Sequence, residues 1–263
     1  REVDLFGGIR VIDLHCHILP GVDDGPQSLE ESLAMAHEAI RQGITHILCT
    51  PHHNNGRYKN PASTVISAVQ KLQQELDQRN LNLTLFEGQE VRLTGDLLEE
   101  IHHGNILFTD LTNHYLLIEF PTIEVPAYAE KLFLRLIEQG HIPVIVHPER
   151  NVVFAKEPNR LIPYLEMGAL TQVTAPSIIG FFGKKIQRTA KLMLENRLVY
   201  MLASDAHSVH QRGFYLKEAY QEIEECFGTG YLEEMQQMTK DLLNGDPVRR
   251  PVFQEVKKSW FFH

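Results

Sequence analysis

The chain is poor in cysteine, in basic charge and in long apolar runs, and each shortage removes a class of protein. Its three cysteines, Cys16, Cys49 and Cys226, form no Cys-x-x-Cys pair and no even-numbered set. A disulfide framework is therefore not expected, and the reducing cytoplasm is the expected compartment. Lysine and arginine number 25 against 34 aspartates and glutamates, a formal net charge of −9. That balance disfavours nucleic acid as the main substrate, because sequence-independent binding to phosphate backbones depends on Lys and Arg. No apolar run approaches the roughly 18 residues that cross a bilayer, and no signal-peptide pattern opens the chain, so membrane insertion is not expected. Repeats, low-complexity stretches and linkers are also missing.

What remains is an ordinary globular composition, with 43% hydrophobic and 22% charged residues over a length of 263. Short β-rich apolar runs alternate with helical patterns from end to end. The candidate strands are 11–16, 44–50, 83–91, 115–120, 142–147, 170–175 and 198–204. Several, such as "YLLIEF" and "IPVIVH", are apolar on both faces, as strands of a covered parallel sheet are. Helical spacing marks 29–42, 61–79, 127–139, 158–167, 184–196 and 214–227. Ser28 with Glu31 reads as a capping box, Gly43 as a stop, and Asn60-Pro61 as a cap followed by a first-turn proline. Uninterrupted βα units imply a single α/β domain over residues 11–263. Seven strands point to a distorted (β/α)7 TIM-like barrel, with a doubly wound open sheet as the alternative. Residues 1–10 are set outside the fold as an extension or a remnant of cloning. The tail 247–263, with four Lys or Arg against one Glu and with Trp260, Phe261 and Phe262, reads as a packed or solvated terminus, a partner or membrane-surface contact being the minority alternative.

The chemistry lies where those strands end. "VIDLHCHILPGVDDG" supplies His15, His17, Asp23 and Asp24, and "CTPHHNNG" supplies His52 and His53. "EGQEVR" offers Glu87 and Glu90, "IEFP" offers Glu119, and "VHPERN" offers His147, Glu149 and Arg150. "ASDAHSVHQR" adds Asp205, His207, His210 and Arg212. In barrels and open α/β sheets the C-terminal strand ends share one face, and that face carries the site. His15 and His17, two apart, project to the same side of an extended strand. Glu119 after "YLLI" is costly to bury unless it is paired or bound to metal. A single histidine at a strand end is usually just a satisfied polar residue; six clusters converging on one face are not accidental. The donor set of imidazole and carboxylate, without paired thiolates, suits Mn²⁺, Fe²⁺ or Zn²⁺, and some nine donors suit two or three ions. Such sites bind an oxyanion, acidify a bridging water and clamp an in-line displacement. Arg150 and Arg212 follow ligand clusters directly, where guanidinium forks hold phosphate oxygens. Together these features favour phosphate-ester over amide hydrolysis.

The pattern of HxH, a following Asp, then His, Glu, Glu, His and a final DxH resembles the PHP (polymerase and histidinol phosphatase) family. Within it, "IDLHCHILPGVDDG", "TPHHNNGRYKN", "IEFP", "IPVIVHPERN" and "SDAH" are similar to the manganese-dependent protein-tyrosine phosphatases of bacterial capsule and exopolysaccharide loci. The resemblance covers roughly residues 11–255 and implies three divalent ions, Mn²⁺ foremost. His15, His17 and Asp205 would hold the first, with Glu90 bridging to a second that Glu119 and His147 complete. Asp24, His52 and His207 would hold the third, and Arg150 and Arg212 would contact phosphate. His207 or His53 would be the candidate acid near the leaving phenolate. The resemblance also implies a partner, the phosphorylated Tyr-rich tail of a bacterial tyrosine kinase controlling polysaccharide synthesis; self-assembly into oligomers is compatible with the sequence. His53, Asp13, Asp23, Glu149 and His210 read as partners that orient the ligands, and Cys16 as packing. Thiol-dependent tyrosine phosphatases need Cys-x5-Arg, and the positions six after each cysteine are Val22, Asn55 and Leu232. The nucleophile expected here is therefore metal-bound hydroxide. The rivals are a histidinol-phosphate phosphatase, a metal-dependent amidohydrolase and a non-catalytic metal-binding module.

Overall fold

The computed structural model of the protein describes residues 11–257. Residues 1–10 and the aromatic cluster Trp260–Phe262 lie outside them. In chain order the strands are β1 (Val11–Cys16), β2 (Ile44–Cys49), β3 (His52–His53), β4 (Thr84–Glu87), β5 (Glu90–Arg92), β6 (Tyr115–Glu119), β7 (Ile142–Val146), β8 (Leu170–Thr174) and β9 (Met201–Ala203). Every pairing is parallel, in the orders β1-β2-β4 and β3-β5-β6-β7-β8-β9. β6, β8 and β9 are buried along their whole length, as the doubly apolar runs require.

The two sheets are one array with two interruptions. Pro51, which has no N–H to donate, separates β2 from β3, and Gly88-Gln89 separates β4 from β5. Backbone bonds from Gly88 N to Cys49 O (2.9 Å) and from Glu90 N to Pro51 O (3.1 Å) keep the broken strands aligned. A Cβ on Gly88 would approach Leu48 Cγ to 2.9 Å, so the close approach needs a glycine. The Gln89 side chain stands in for missing ladder bonds, donating to Asn60 O (2.7 Å) and Asn105 O (3.0 Å) and accepting from Leu107 N (2.6 Å).

Counted through the breaks, seven strands follow one another without a reversal of order, which excludes a doubly wound sheet. The last returns to the first. Cys16 bridges Ala206, Asp205 N donates to His15 O (2.8 Å), and His17 N donates to Ala206 O (2.9 Å). The buried Asp13 carboxylate on β1 accepts from Ser204 N (2.9 Å) and Ser204 Oγ (2.5 Å), just past β9. The architecture is the distorted (β/α)7 barrel.

The helices α1 (Leu29–Arg41), α2 (Ala62–Gln78), α3 (Leu97–His102), α4 (Ala129–Glu138), α5 (Val152–Lys156), α6 (Ile162–Met167), α7 (Ala175–Ile178), α8 (Lys184–Glu195), α9 (Leu216–Phe227) and α10 (Thr229–Asn244) pack around it. Helix α1 starts as expected, with Ser28 Oγ accepting from Glu31 N (3.2 Å), but Glu31 reaches back to Gln27 N (2.6 Å) rather than to Ser28 N. Asn60 does not cap α2. Its amide instead donates to Val22 O (3.0 Å) and His52 O (2.9 Å), holding two loops of the site together, and Pro61 takes the cap position without a side-chain bond. Five elements were not expected from the sequence: β3, α3, the short α5 and α7, and the 16-residue α10.

Candidate metal centre

The ends of β1, β3, β5, β6, β7 and β9 bring their polar side chains to one place. His15 and His17 on and after β1 point their Nε2 atoms at each other across 3.2 Å. Glu90 Oε2 lies 3.3 and 3.2 Å from those two nitrogens, and Asp205 Oδ1 lies at the same two distances. These four residues are buried. Their ligand atoms form one of three groups compact enough to hold a cation.

The other two groups share members with the first. His17, Asp24, His52 and His207 form one, with Asp24 Oδ1 3.3 Å from both His52 Nε2 and His207 Nε2. His52, Glu90 and Glu119 form the other, with His52 Nδ1 2.9 Å from Glu90 Oε2. His147 approaches this last group through Glu90, its Nε2 standing 2.6 Å from Glu90 Oε1. All nine residues picked out from the sequence as ligands therefore meet on one face, with Glu90 common to two of the groups.

Local structure aims them. His15 Nδ1 faces Gln172 Oε1 at 3.0 Å, His17 Nδ1 faces Asp23 Oδ2 at 2.7 Å, and His207 Nδ1 faces Asp205 O at 2.8 Å. An oxygen acceptor on each Nδ1 fixes the proton there and leaves the Nε2 lone pair facing the centre. His147 and Asp205 take left-handed backbone conformations, with φ of 36° and 54°. Non-glycine residues rarely adopt such angles, and where they do the surrounding structure holds them there. At His147 the turn runs into the short 3-10 segment Pro148–Arg150, which swings Arg150 onto the same face.

Electrostatically the face is crowded with carboxylate. Burial opposes charge on Glu90 and Asp205, yet His52 and His15 hold Glu90, and Arg150 and His15 hold Asp205, well below the carboxylate range. Burial, followed by repulsion from Glu90, pushes Glu119 up to about 7. Burial, then Arg150, brings His147 down to about 4; burial, then His17, does the same to His207. His52 goes the other way: burial disfavours its charge, but Glu90 and Asp24 raise it to about 10.

Five buried atoms here, His52 Nδ1, Glu90 Oε2, Glu119 Oε2, Asp205 Oδ1 and His207 Nε2, have no hydrogen-bond partner beyond their ion-pair contacts with charged neighbours of the cluster. Five at one point, all imidazole nitrogen or carboxylate oxygen, fit divalent cations of the borderline-hard kind.

Two arginines flank the cluster. Arg150 Nη1 donates to Asp205 Oδ2 (2.5 Å), and Arg212 Nη2 reaches the same oxygen at 3.2 Å. Arg212 Nη1 also lies 3.4 Å from Asp24 Oδ2. The 207–212 turn positions Arg212, because its carbonyl accepts from His207 N (2.8 Å) and Ser208 N (3.2 Å).

Other residues singled out from the sequence are placed differently. Asp23 orients His17 and accepts from His52 N at 3.0 Å, and Asp13 ties β1 to Ser204. Glu149 is buried against Thr174, accepting from its backbone and hydroxyl (3.0 and 2.8 Å). His53 faces Glu100 at 3.5 Å, His210 is exposed, and neither they nor Glu87 join the three groups. Cys16 packs in the core with Sγ 3.7 Å from Ala206 O. One residue against the cluster was not singled out from the sequence. Arg92 Nη2 lies 3.0 Å from Glu119 Oε2, and its spacing of two from Glu90 on a strand is the signal that would have found it.

A family model described as "Capsular polysaccharide synthesis, CpsB/CapC" matches residues 11–243. The tyrosine-protein phosphatase YwqE of Bacillus subtilis is 40% identical over 252 residues, 96% of this chain and 99% of its own. The tyrosine-protein phosphatase CpsB of Streptococcus pneumoniae is 30% identical over 230 residues, 86% of this chain and 94% of its own. A crystal structure from work on YwqE and CpsB, described there as unique metal-dependent tyrosine phosphatases, aligns with a TM-score of 0.90 at 40% identity, covering 94% of this chain and 100% of that one.

Proposed function

The chain belongs to the CpsB/CapC family of capsular polysaccharide synthesis, and on that footing we propose that it is a metal-dependent protein-tyrosine phosphatase. The substrate we assign is phosphotyrosine on bacterial proteins, foremost the Tyr-rich tail of a tyrosine kinase that controls capsule or exopolysaccharide synthesis. The observation that carries the reading is the meeting of three His/carboxylate groups with two arginines on one face, buried except toward Asp24 and Arg212.

We assign His15, His17, Glu90 and Asp205 to one cation, Glu90, Glu119 and His147 to a second, and Asp24, His52 and His207 to a third, with Mn²⁺ as the ion. Divalent cations bound there supply charge neutralisation on phosphoryl oxygens and lower the pKa of water. Arg150 and Arg212 turn their guanidinium donors to the oxygens of the transferring phosphoryl group, and Asp205 keeps both in place. In-line attack by water then breaks the bond between phosphorus and the phenolic oxygen. The phenol has a pKa of about 10, which lets it leave without an obligatory acid. His207, turned to Asp24 and held by Asp205 O, serves as a ligand in this scheme.

Two of the three thiols are withheld from any competing route. Cys16 and Cys49 are fully buried, and burial pushes both thiols up. Cys226 sits at the end of α9 beside Glu222. No helix among the described residues is long and apolar enough to cross a membrane. With three free cysteines, we place the protein in the cytoplasm.

The test is hydrolysis of a phosphotyrosine peptide after chelation and re-addition of Mn²⁺, with histidinol phosphate and a phosphoserine peptide alongside. Phosphotyrosine turnover that disappears with chelator and returns with Mn²⁺ is the expected result. Turnover of histidinol phosphate alone would move the protein to small-molecule metabolism, and no turnover of any substrate by the metal-loaded protein would overturn the hydrolase reading.

A further inference from the structure

We infer that Phe182 and Phe181, on the turn between α7 and α8, form an aryl subsite that receives the phenyl ring of phosphotyrosine; this rests on the phosphatase reading above and assigns its selectivity for aromatic esters to particular residues.

The turn is built, not loose. Phe181 N donates to Pro176 O (2.9 Å), Gly183 N to Gly180 O (3.0 Å) and Gln187 N to Gly183 O (3.1 Å). Gly180 and Gly183 bound the two phenylalanines at φ of 82° and 96°. A Cβ on Gly180 would meet the Gln187 amide at 2.9 Å, and that amide donates to Ile178 O (2.9 Å). The fold thus fixes a Phe-Phe pair in an outward-facing position, with Phe181 45% exposed.

The pair adjoins the anion-binding pole. The guanidinium of Arg150 lies 5.3 Å over the Phe182 ring, while its Nη1 holds Asp205. Phe181 is 5.5 Å from Phe182 and 5.3 Å from Tyr215. An apolar strip therefore runs outward from the arginine that would grip the phosphoryl group. An aryl phosphate has a charged end joined directly to a flat apolar ring, and this surface matches that order. A serine phosphate offers only a methylene at the same point.

The test uses the full chain loaded with Mn²⁺. KM and kcat are measured for a phosphotyrosine peptide, with the inhibition constant of inorganic phosphate and the calorimetric Kd of a phosphonomethylphenylalanine peptide, which cannot be hydrolysed. Phe182→Leu is expected to raise KM and Kd about two- to tenfold, the range of an aromatic pair, with the phosphate inhibition constant unchanged. Phe182→Tyr should restore both, and Phe181→Ser, which leaves Arg150 untouched, should move them in the same direction. Equal weakening of inorganic phosphate would mean that Phe182 merely props Arg150, and would overturn the inference. So would unmoved constants in both variants, or a Phe181→Ser effect traced by sedimentation to loss of a dimer. A wild-type protein inactive on phosphotyrosine would instead sink the phosphatase reading itself.

Discussion

Asp205 divides its carboxylate between two tasks: Oδ2 holds Arg150 at 2.5 Å, while Oδ1 stands 3.3 and 3.2 Å from the imidazoles of His15 and His17. One side chain thus joins the candidate cation-binding groups to the arginine proposed to grip phosphate. A cation held at Oδ1 would draw charge from the carboxylate and so weaken the hold of Oδ2 on the Arg150 guanidinium. Arg212, on the same oxygen at 3.2 Å, would share in that effect.

His147→Ala removes the imidazole that meets Glu90 Oε1 at 2.6 Å. Groups that merely orient ligands cost about 10–100-fold when lost, so a ligand should cost more than about 100-fold in kcat. Elemental analysis of purified protein should show less metal per chain. Near-wild-type turnover at saturating Mn²⁺ would refute the ligand role.

Arg212→Ala should leave metal content intact and lower kcat/KM for phosphotyrosine by about tenfold or more, the scale of a charge-assisted hydrogen bond. Steady-state kinetics beside a metal assay decide it. Unchanged rates with full metal content would mean that Arg212 only pairs Asp24 and Asp205.

Arg92 is the ion-pair partner that partly offsets the upward push on Glu119, which burial and Glu90 bring to about 7. Arg92→Gln removes the offset, so the carboxyl holds its proton to higher pH and competes better against a cation. Mn²⁺ titrations should show a larger loss of affinity at pH 6 than at pH 8, relative to wild type. An equal loss at both pH values would rule out the charge argument.

Asp13→Ala tests how the last strand is tied to the first. The buried carboxylate satisfies Ser204 N, Ser204 Oγ and, at 3.3 Å, His15 N. Orphaning those donors should cost about 3 kcal/mol or more, read as a lower urea midpoint at an unchanged slope. A midpoint within error of wild type would show that the closure does not depend on this residue.

The barrel and the ligand face were legible because both rest on short-range patterns. Apolar runs with polar ends mark strands, and strand ends share a face, so "YLLIEF" and "SDAH" could be placed from spacing alone. The parts that were not legible depend on contacts far apart in sequence. Asn60 looks like a cap beside Pro61, yet its amide is taken by Val22 and His52. The breaks at Pro51 and Gly88-Gln89 hide inside otherwise strand-like runs, and Gln89 reads as polar filler until Asn105 and Leu107 arrive beside it. Helix α10 carries Tyr231, Met235, Met238 and Leu242 at helical spacing, a signal present in the chain but passed over behind the chemistry upstream. Arg92 was obscured in the same way by Glu90, its neighbour on one face.

The left-handed backbone at His147 and Asp205 sets two separate filters on those positions. Folding alone favours glycine or asparagine there and penalises β-branched side chains, whatever the reaction requires. The proposed chemistry would demand an imidazole at one and a carboxylate at the other. In a library screened first for soluble protein and then for turnover, positions 147 and 205 would pass different sets of amino acids at the two stages, and the gap between them would separate what the scaffold tolerates from what the reaction selects.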